Sequence, residues 1–205
     1  RVQARADLGA AVERAIHMIE QLLTLARNEP QDAREAMEPV ALQSAAADAV
    51  TDMHALAQLR GIDLGLDADG PGVVRGNREA LRVLVRNLVD NAVRYTPPGG
   101  RVQVRISLPV AGAVAGAGAG AGAGAAHGGT LLEVIDTGPG IPAAERARVF
   151  DRFYRRAGAP PGGCGLGLAI VQAVAERHGA QVALHEAAGG GLRVAVAFPA
   201  TQGAP

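Results

Sequence analysis

A run of alanine and glycine, "AGAVAGAGAGAGAGAAHGG", occupies residues 111–129 and limits the fold more than any other feature. It has too little apolar surface to offset its ordering entropy, so it cannot supply a core. The segments on either side read as strands: "RVQVRISLPV" (101–110) alternates with period two, and "TLLEVID" (130–136) has buried character. The tract is therefore predicted to be a disordered hairpin loop between two strands. His127 lies inside it without partners for a metal site.

Around that hairpin the chain alternates between helices and strands. Ser44 to Leu59 reads as a helix, Ile62 to Leu66 and Val73 to Arg75 as short strands, and Asn77 as the cap of a helix reaching about Tyr95. A short helix is expected after Pro142 and a longer one over Leu166 to His178. "QVALHE" and "LRVAVAFP" close as a hairpin across glycines 189–191. This pattern predicts an α/β unit, a two-layer sandwich with a mixed sheet and helices on one face. A helical stem precedes it. Residues 2–28 carry Val12, Ile16, Ile19, Leu23 and Ala26 in one apolar row, with Leu8, Ala15 and Leu22 in a second beside it. Two seams call for a bundle or dimer, the alternative being a helix packed on its own domain, and Pro30 with the polar run to Glu38 separates the stem from the α/β unit. The expected organisation is a stem over 1–30 and a second domain over 38–200.

Composition removes several chemistries. The 20 basic residues balance 20 acidic ones, which gives no electrostatic case for nucleic acid. Every basic residue is arginine, so a Walker-type phosphate loop and the lysine-dependent kinase fold of serine and tyrosine kinases are excluded. A single cysteine, Cys164, allows neither an internal disulfide nor a zinc cluster. Ser44 and Ser107 stand outside any nucleophile elbow. No apolar run is long enough to span a membrane, and the chain begins at Arg1, as a piece of a longer, anchored protein would.

Three groups of residues carry possible chemistry. In "RNLVDNAVRYT", Asn87, Asn91 and Arg94 fall on one helical face, a stripe suited to a metal-bound polyphosphate. In "VIDTGPGI", Asp136 ends a strand where its carboxylate can accept from an exocyclic amine such as that of adenine, and Gly138 and Gly140 allow close approach to a flat ring. In "GGCGLGLAIV", Gly163, Gly165 and Gly167 open a helix whose N-terminal amides favour phosphate. Taken singly, the first is equally a solvated face and the second an ordinary turn.

Taken in order, "NLVDNAVRYT", "DTGPGI", "FDRFYRR" and "GGCGLGLAIV" resemble the N, G1, F and G2 boxes of sensor histidine kinases, over about residues 38–199. "IEQLLTLAR" resembles the second helix of that family's dimerisation and phosphotransfer domain. The resemblance implies the ATP-binding sandwich shared with gyrase, Hsp90 and MutL ATPases. It places Asn87 and Asn91 on Mg2+ and phosphate, Arg94 as a phosphate contact and, with Asn87, a catalytic residue, and Tyr95 beside the nucleotide. Asp136 matches the adenine-binding acid, and Gly138 and Gly140 the turn beneath the base. Gly163, Gly165, Leu166 and Gly167 form the phosphate turn. Phe150, Phe153 and Tyr154 become hinge and packing residues of a mobile lid from Arg155 to Gly162.

The activity so implied is transfer of the γ-phosphoryl of ATP to a histidine, then to a response regulator. The implied partners are that regulator and the phosphoacceptor helix of the same or a partner subunit. The whole protein would be a homodimer, with this chain the cytoplasmic portion of an inner-membrane sensor. Two features depart from the family pattern. Arg94 stands where lysine is usual, and its fork changes phosphate geometry. The acceptor motif, His followed by an acid and Leu-Arg-Thr-Pro, is absent, and His17, His54, His178 and His185 lack its context. His178 sits at a helix C-terminus, where a cation suits the dipole. Asn87 also occupies the place of the ATPase relatives' general-base glutamate, so hydrolysis should be slow. A nucleotide-binding regulatory module without turnover and a serine kinase of the anti-sigma type are the competing readings.

Overall fold

A computed structural model of the chain describes residues 37–108, 129–156 and 164–200. The predicted stem, the Ala/Gly loop up to residue 128, most of the predicted lid and Gly163 lie outside the described residues.

Strands β1 (Glu38–Ala41), β2 (Asp63–Ala68), β3 (Val73–Gly76), β4 (Arg101–Ser107), β5 (Leu131–Asp136), β6 (Gln181–Glu186) and β7 (Leu192–Ala197) accompany helices α1 (Leu42–Leu59), α2 (Arg78–Tyr95) and α3 (Gly167–Arg177). Five strands form one mixed sheet in the order β2-β4-β5-β7-β6, parallel at β2–β4 and antiparallel elsewhere. The two strands flanking the Ala/Gly tract pair antiparallel, Ser107 opposite Leu131, as a hairpin requires.

The register shows why the helices cover one face. Side chains two apart share a face of a strand. Two apolar rows run across all five strands: Leu66, Val104, Val134, Val194 and Leu184, then Ala68, Ile106, Leu132, Val196 and Val182. All three helices contact the sheet, and Leu42, Leu81, Leu84, Leu88 and Ile170 are fully buried among these rows. A third row begins Leu64, Val102 and then meets Asp136 in place of an apolar residue. The opposite face carries charge, with Asp63 bonded to Arg101 at 2.8 Å.

Three elements differ from the sequence expectation. Strand β1 was not foreseen; it pairs antiparallel with β3 as a separate two-stranded ribbon. Helix α1 begins at Leu42, ahead of Ser44, because its first amides are satisfied by main chain: Leu42 N–H donates to Gly72 O and Gln43 N–H to Pro71 O. The helix expected after Pro142 is two 3-10 turns, Ala143–Glu145 and Arg148–Phe150.

His178 is corrected. It is buried, its Nδ1 lies 2.7 Å from Val174 O, and its Nε2 accepts from Asn77 N–H at 3.0 Å. An acceptor at Nε2 and a carbonyl at Nδ1 define the neutral Nδ1–H tautomer. Burial holds its pKa below the ordinary histidine value; the Val174 bond opposes the shift and Arg177 reinforces it. It is a neutral joint between the end of α3 and the start of α2, where Asn77 also caps the helix by accepting from Ala80 N–H at 2.8 Å.

Candidate functional site

Helix α2 serves both layers of the domain. Leu81, Leu84, Val85 and Leu88 face the core, and on an adjoining stripe Asn87, Asn91, Arg94 and Tyr95 line an open cleft. Asn87 Nδ2 donates to Val83 O at 2.8 Å, which turns its amide oxygen away from that carbonyl. Asn91 lies against Gly167 so closely that a Cβ there would come within 2.8 Å of Asn91 Nδ2. Arg94 Nε donates to Asp90 Oδ2 at 2.7 Å, an i,i+4 pair at the cleft edge.

Asp136 supplies the opposite wall. It is 5% exposed, on the core-facing side of β5. Its Oδ1 accepts from Gly138 N–H at 2.8 Å and from Leu192 N–H at 3.2 Å. Both bonds fall on one oxygen, so Oδ2 is left to the cleft that Asp136 lines. Burial raises the carboxyl above the usual carboxylate range, while the Gly138 and Leu192 bonds pull it down.

The Leu192 contact is one that sequence reasoning missed. Gly191, at φ +91°, brings the β6–β7 turn so near that a Cβ there would stand 2.0 Å from Asp136 O, and Gly140, at φ +61°, meets Gly191 O across the gap. Three consecutive glycines at 189–191 are the available signal, and they read only as a hairpin turn.

The third wall is the start of α3. Its N-cap, Leu166, makes no side-chain cap, and Gly165, Gly167 and Leu168 line the cleft, so among the described residues no N-cap side chain covers the main-chain amides that begin the helix there. Leu166 itself is fully buried in the core and has only its main chain to offer a ligand. Apolar lining comes from Val134, Ile141, Val149 and Val194.

The predicted anchors divide. Tyr154 lines the cleft, and its hydroxyl donates to Glu145 Oε2 at 3.2 Å. Phe153 is not a packing anchor: it is 59% exposed, at φ +66°, with its N–H donating to Gly165 O at 2.9 Å. Arg60 was also missed. From the end of α1 it donates to Val93 O, Arg94 O and Thr96 O, at 2.6, 3.0 and 2.9 Å, and so holds the C-terminal end of α2.

Residues 76–202 match the family described as histidine kinase-, DNA gyrase B-, and HSP90-like ATPase. The sensor protein QseC of Escherichia coli O157:H7 is 34% identical over 199 residues, covering 97% of this chain and 40% of that protein. The sensor protein kinase PmrB of Pseudomonas aeruginosa is 36% identical over 198 residues, covering 96% of this chain and 38% of that protein. The chain thus spans about two fifths of the length of these relatives. Among solved structures, a mycobacterial sensor histidine kinase, MprB, superposes with TM-score 0.62 at 31% identity, over 80% of this chain and 97% of that one. Full-length ShkA in complex with AMPPNP superposes with TM-score 0.70 at 25% identity, over 97% of this chain and 38% of that one. The two-layer sandwich is that of histidine kinase catalytic domains, and the chain belongs to the histidine kinase-, DNA gyrase B- and HSP90-like ATPase family.

Proposed function

We propose that this domain binds Mg-ATP in the cleft and, within a two-component sensor kinase, donates the γ-phosphoryl group to a histidine on a phosphoacceptor helix. The observation that carries the reading is the convergence in one cleft of two carboxamides, a guanidinium, a buried acid with one oxygen facing inward, and uncapped helix amides. Asp136 Oδ2 accepts from the exocyclic amine of adenine, with Val134, Ile141 and Val194 around the base and Tyr95 beside it. The amides of Gly165 and Gly167 and the Arg94 guanidinium take the polyphosphate.

The donor set fits magnesium. Among the described residues there is no cluster of three or more His, Cys, Asp or Glu side chains, so no dedicated cage exists there. Mg2+ is ordinarily held by one or two protein oxygens with substrate phosphates and water, and the amide oxygens of Asn87 and Asn91 supply that number. When bound, the ion neutralises charge on the transferring phosphate. The chain's own task is then positioning, because phosphoryl transfer needs little covalent help from protein.

The cleft also favours transfer over hydrolysis. Its carboxylates are committed, Asp90 to Arg94 and Asp136 Oδ1 to two main-chain amides, and position 87 holds a carboxamide with no basicity. Water finds no general base among them. The phosphoryl passes from the acceptor histidine to an aspartate of a response regulator. A solved structure of the histidine kinase QseC is of its cytoplasmic segment. We infer the same location for this domain, as the interior part of a dimeric membrane sensor. No helix among the described residues is long and apolar enough to cross a membrane.

The test supplies labelled ATP, Mg2+ and a separately made acceptor helix of a relative. Label on its histidine, abolished by Asn91→Ala, is the expected result. Nucleotide binding without label would indicate a regulatory module, and absence of nucleotide binding would refute the site.

A further inference from the structure

The turn after Asp136 leaves two successive carbonyls, Gly140 and Ile141, outside any strand or helix, and an arginine covers each. Arg156 Nη1 donates to Gly140 O at 2.6 Å, and Arg146 Nε donates to Ile141 O at 3.1 Å. Arg156 is itself held: its Nε lies 2.9 Å from Glu145 Oε2, the same oxygen that accepts from the Tyr154 hydroxyl at 3.2 Å. The Arg148 guanidinium lies 4.9 Å from the centroid of the Tyr154 ring and backs the group. Arg156 and Glu145 are both about two-thirds buried, which separates them from the solvated pairs on the sheet's outer face. Charge-assisted bonds in such a setting hold geometry better than neutral ones.

We propose that Arg156, oriented by Glu145, is a positioning residue that fixes the turn carrying Asp136, and so sets affinity for the base rather than for the phosphates. The inference rests on the nucleotide-binding reading above. Arg156 lines the cleft, and an arginine there invites assignment as a phosphate contact; its Nε and Nη1 are instead directed at Glu145 and Gly140. Gly140 sits at φ +61° and abuts Gly191, whose neighbour Leu192 bonds Asp136 Oδ1. Releasing Gly140 O therefore loosens the contacts that aim Asp136 Oδ2.

The experiment uses the 205-residue chain and displaces a fluorescent ATP analogue with AMP, ADP and AMPPNP. Arg156→Ala is expected to weaken all three by the same factor, about tenfold. Arg156→Lys should recover part of that loss for all three, and Glu145→Gln should show a smaller uniform loss. A loss that grows with the number of phosphates would make Arg156 a phosphate contact, and unchanged affinities would make the group an ordinary ion pair; either overturns the proposal. Should Arg156→Ala melt early, the lysine and glutamine variants decide by the same uniformity. Wild-type chain that fails to bind AMPPNP refutes the site itself, whereas wild-type binding with indifferent variants refutes only the positioning role.

Discussion

Asp136→Asn separates the hydrogen bonds Asp136 makes within the fold from the base recognition proposed for it. The asparagine keeps an oxygen at the Oδ1 position, so both main-chain bonds, from Gly138 and Leu192, survive. It replaces the cleft-facing oxygen by an NH2 group, a donor set against the adenine amine proposed to bind there. The loss combines a hydrogen bond to a charged acceptor, about 1.5–3 kcal/mol, with an unsatisfied donor at about 1–3 kcal/mol. Together they come to about 2.5–6 kcal/mol, or roughly two to four decades in Kd. Stability moves the other way. The folded carboxyl has a raised pKa, so its ionisation costs the fold stability at every pH above that raised value, and the cost vanishes below the unfolded value near 3.8.

Asp136→Asn should therefore melt above wild type at pH 7, with the gap closing on acidification toward pH 4. Asp136→Ala, which orphans both amides, should melt below it. Calorimetric titration with AMPPNP and thermal melts at pH 7 and pH 4 measure both effects. Binding by Asp136→Asn within about threefold of wild type, well short of the expected loss, would show that Oδ2 does not read the base. A melt below that of Asp136→Ala would show that burial of the charge is not the cost described.

His178→Ala should cost about 2–4 kcal/mol by denaturant unfolding, since it opens a cavity and orphans the Asn77 amide. Because the folded His178 pKa is lowered, its stabilisation is complete above the unfolded value near 6.5. It is lost as pH falls below that, by up to about 1.4 kcal/mol per pH unit, and the variant should lack this share of the pH dependence. Cys164, the single cysteine, lines the cleft, so AMPPNP at ten times its Kd should slow maleimide labelling about tenfold, read by mass spectrometry. Gly167→Ala must displace the Asn91 carboxamide while favouring the helix, so the magnesium-dependent part of AMPPNP affinity should fall about tenfold with the melting temperature held or raised.

Legibility in the sequence was limited to features that a short period or one element can encode. Helical spacing alone puts Asn87, Asn91 and Arg94 on one face, and the alternation in "RVQVRIS" matches the inward Val102, Val104 and Ile106. Strand β1 was hidden because four residues including Pro39 carry no periodicity, and its partner β3 is as short. The Leu192 bond to Asp136 spans 56 positions and the Arg60 bonds to the end of α2 span more than 30, so neither is written in any local pattern. His178 misled because a helix C-terminus favours a cation in solvent, whereas burial beside Gly76, where no Cβ would fit, reverses that preference. Phe153 differs as well: aromaticity suggests packing, but the residue sits at a positive φ with its side chain largely exposed.

The same register that builds the core also explains where the cleft lies. Two rows across the sheet are apolar from edge to edge, and the third breaks at Asp136, where a carboxylate replaces the residue that would have continued under the helices. A buried charge at the sheet centre would be strongly destabilising without partners. One amide from the turn after β5 and one from the start of β7 satisfy one oxygen, and the other faces a space the helices do not fill. The cleft is thus the consequence of an incomplete core row. Any ligand that occupies it finishes the packing between α2, β5 and the start of α3. Binding that completes a core stabilises the fold by mass action, about 2.7 kcal/mol at a hundred times Kd. Nucleotide should accordingly tighten α3 against α2 at Asn91 and Gly167, where the two helices meet inside the cleft through a carboxamide rather than through apolar side chains.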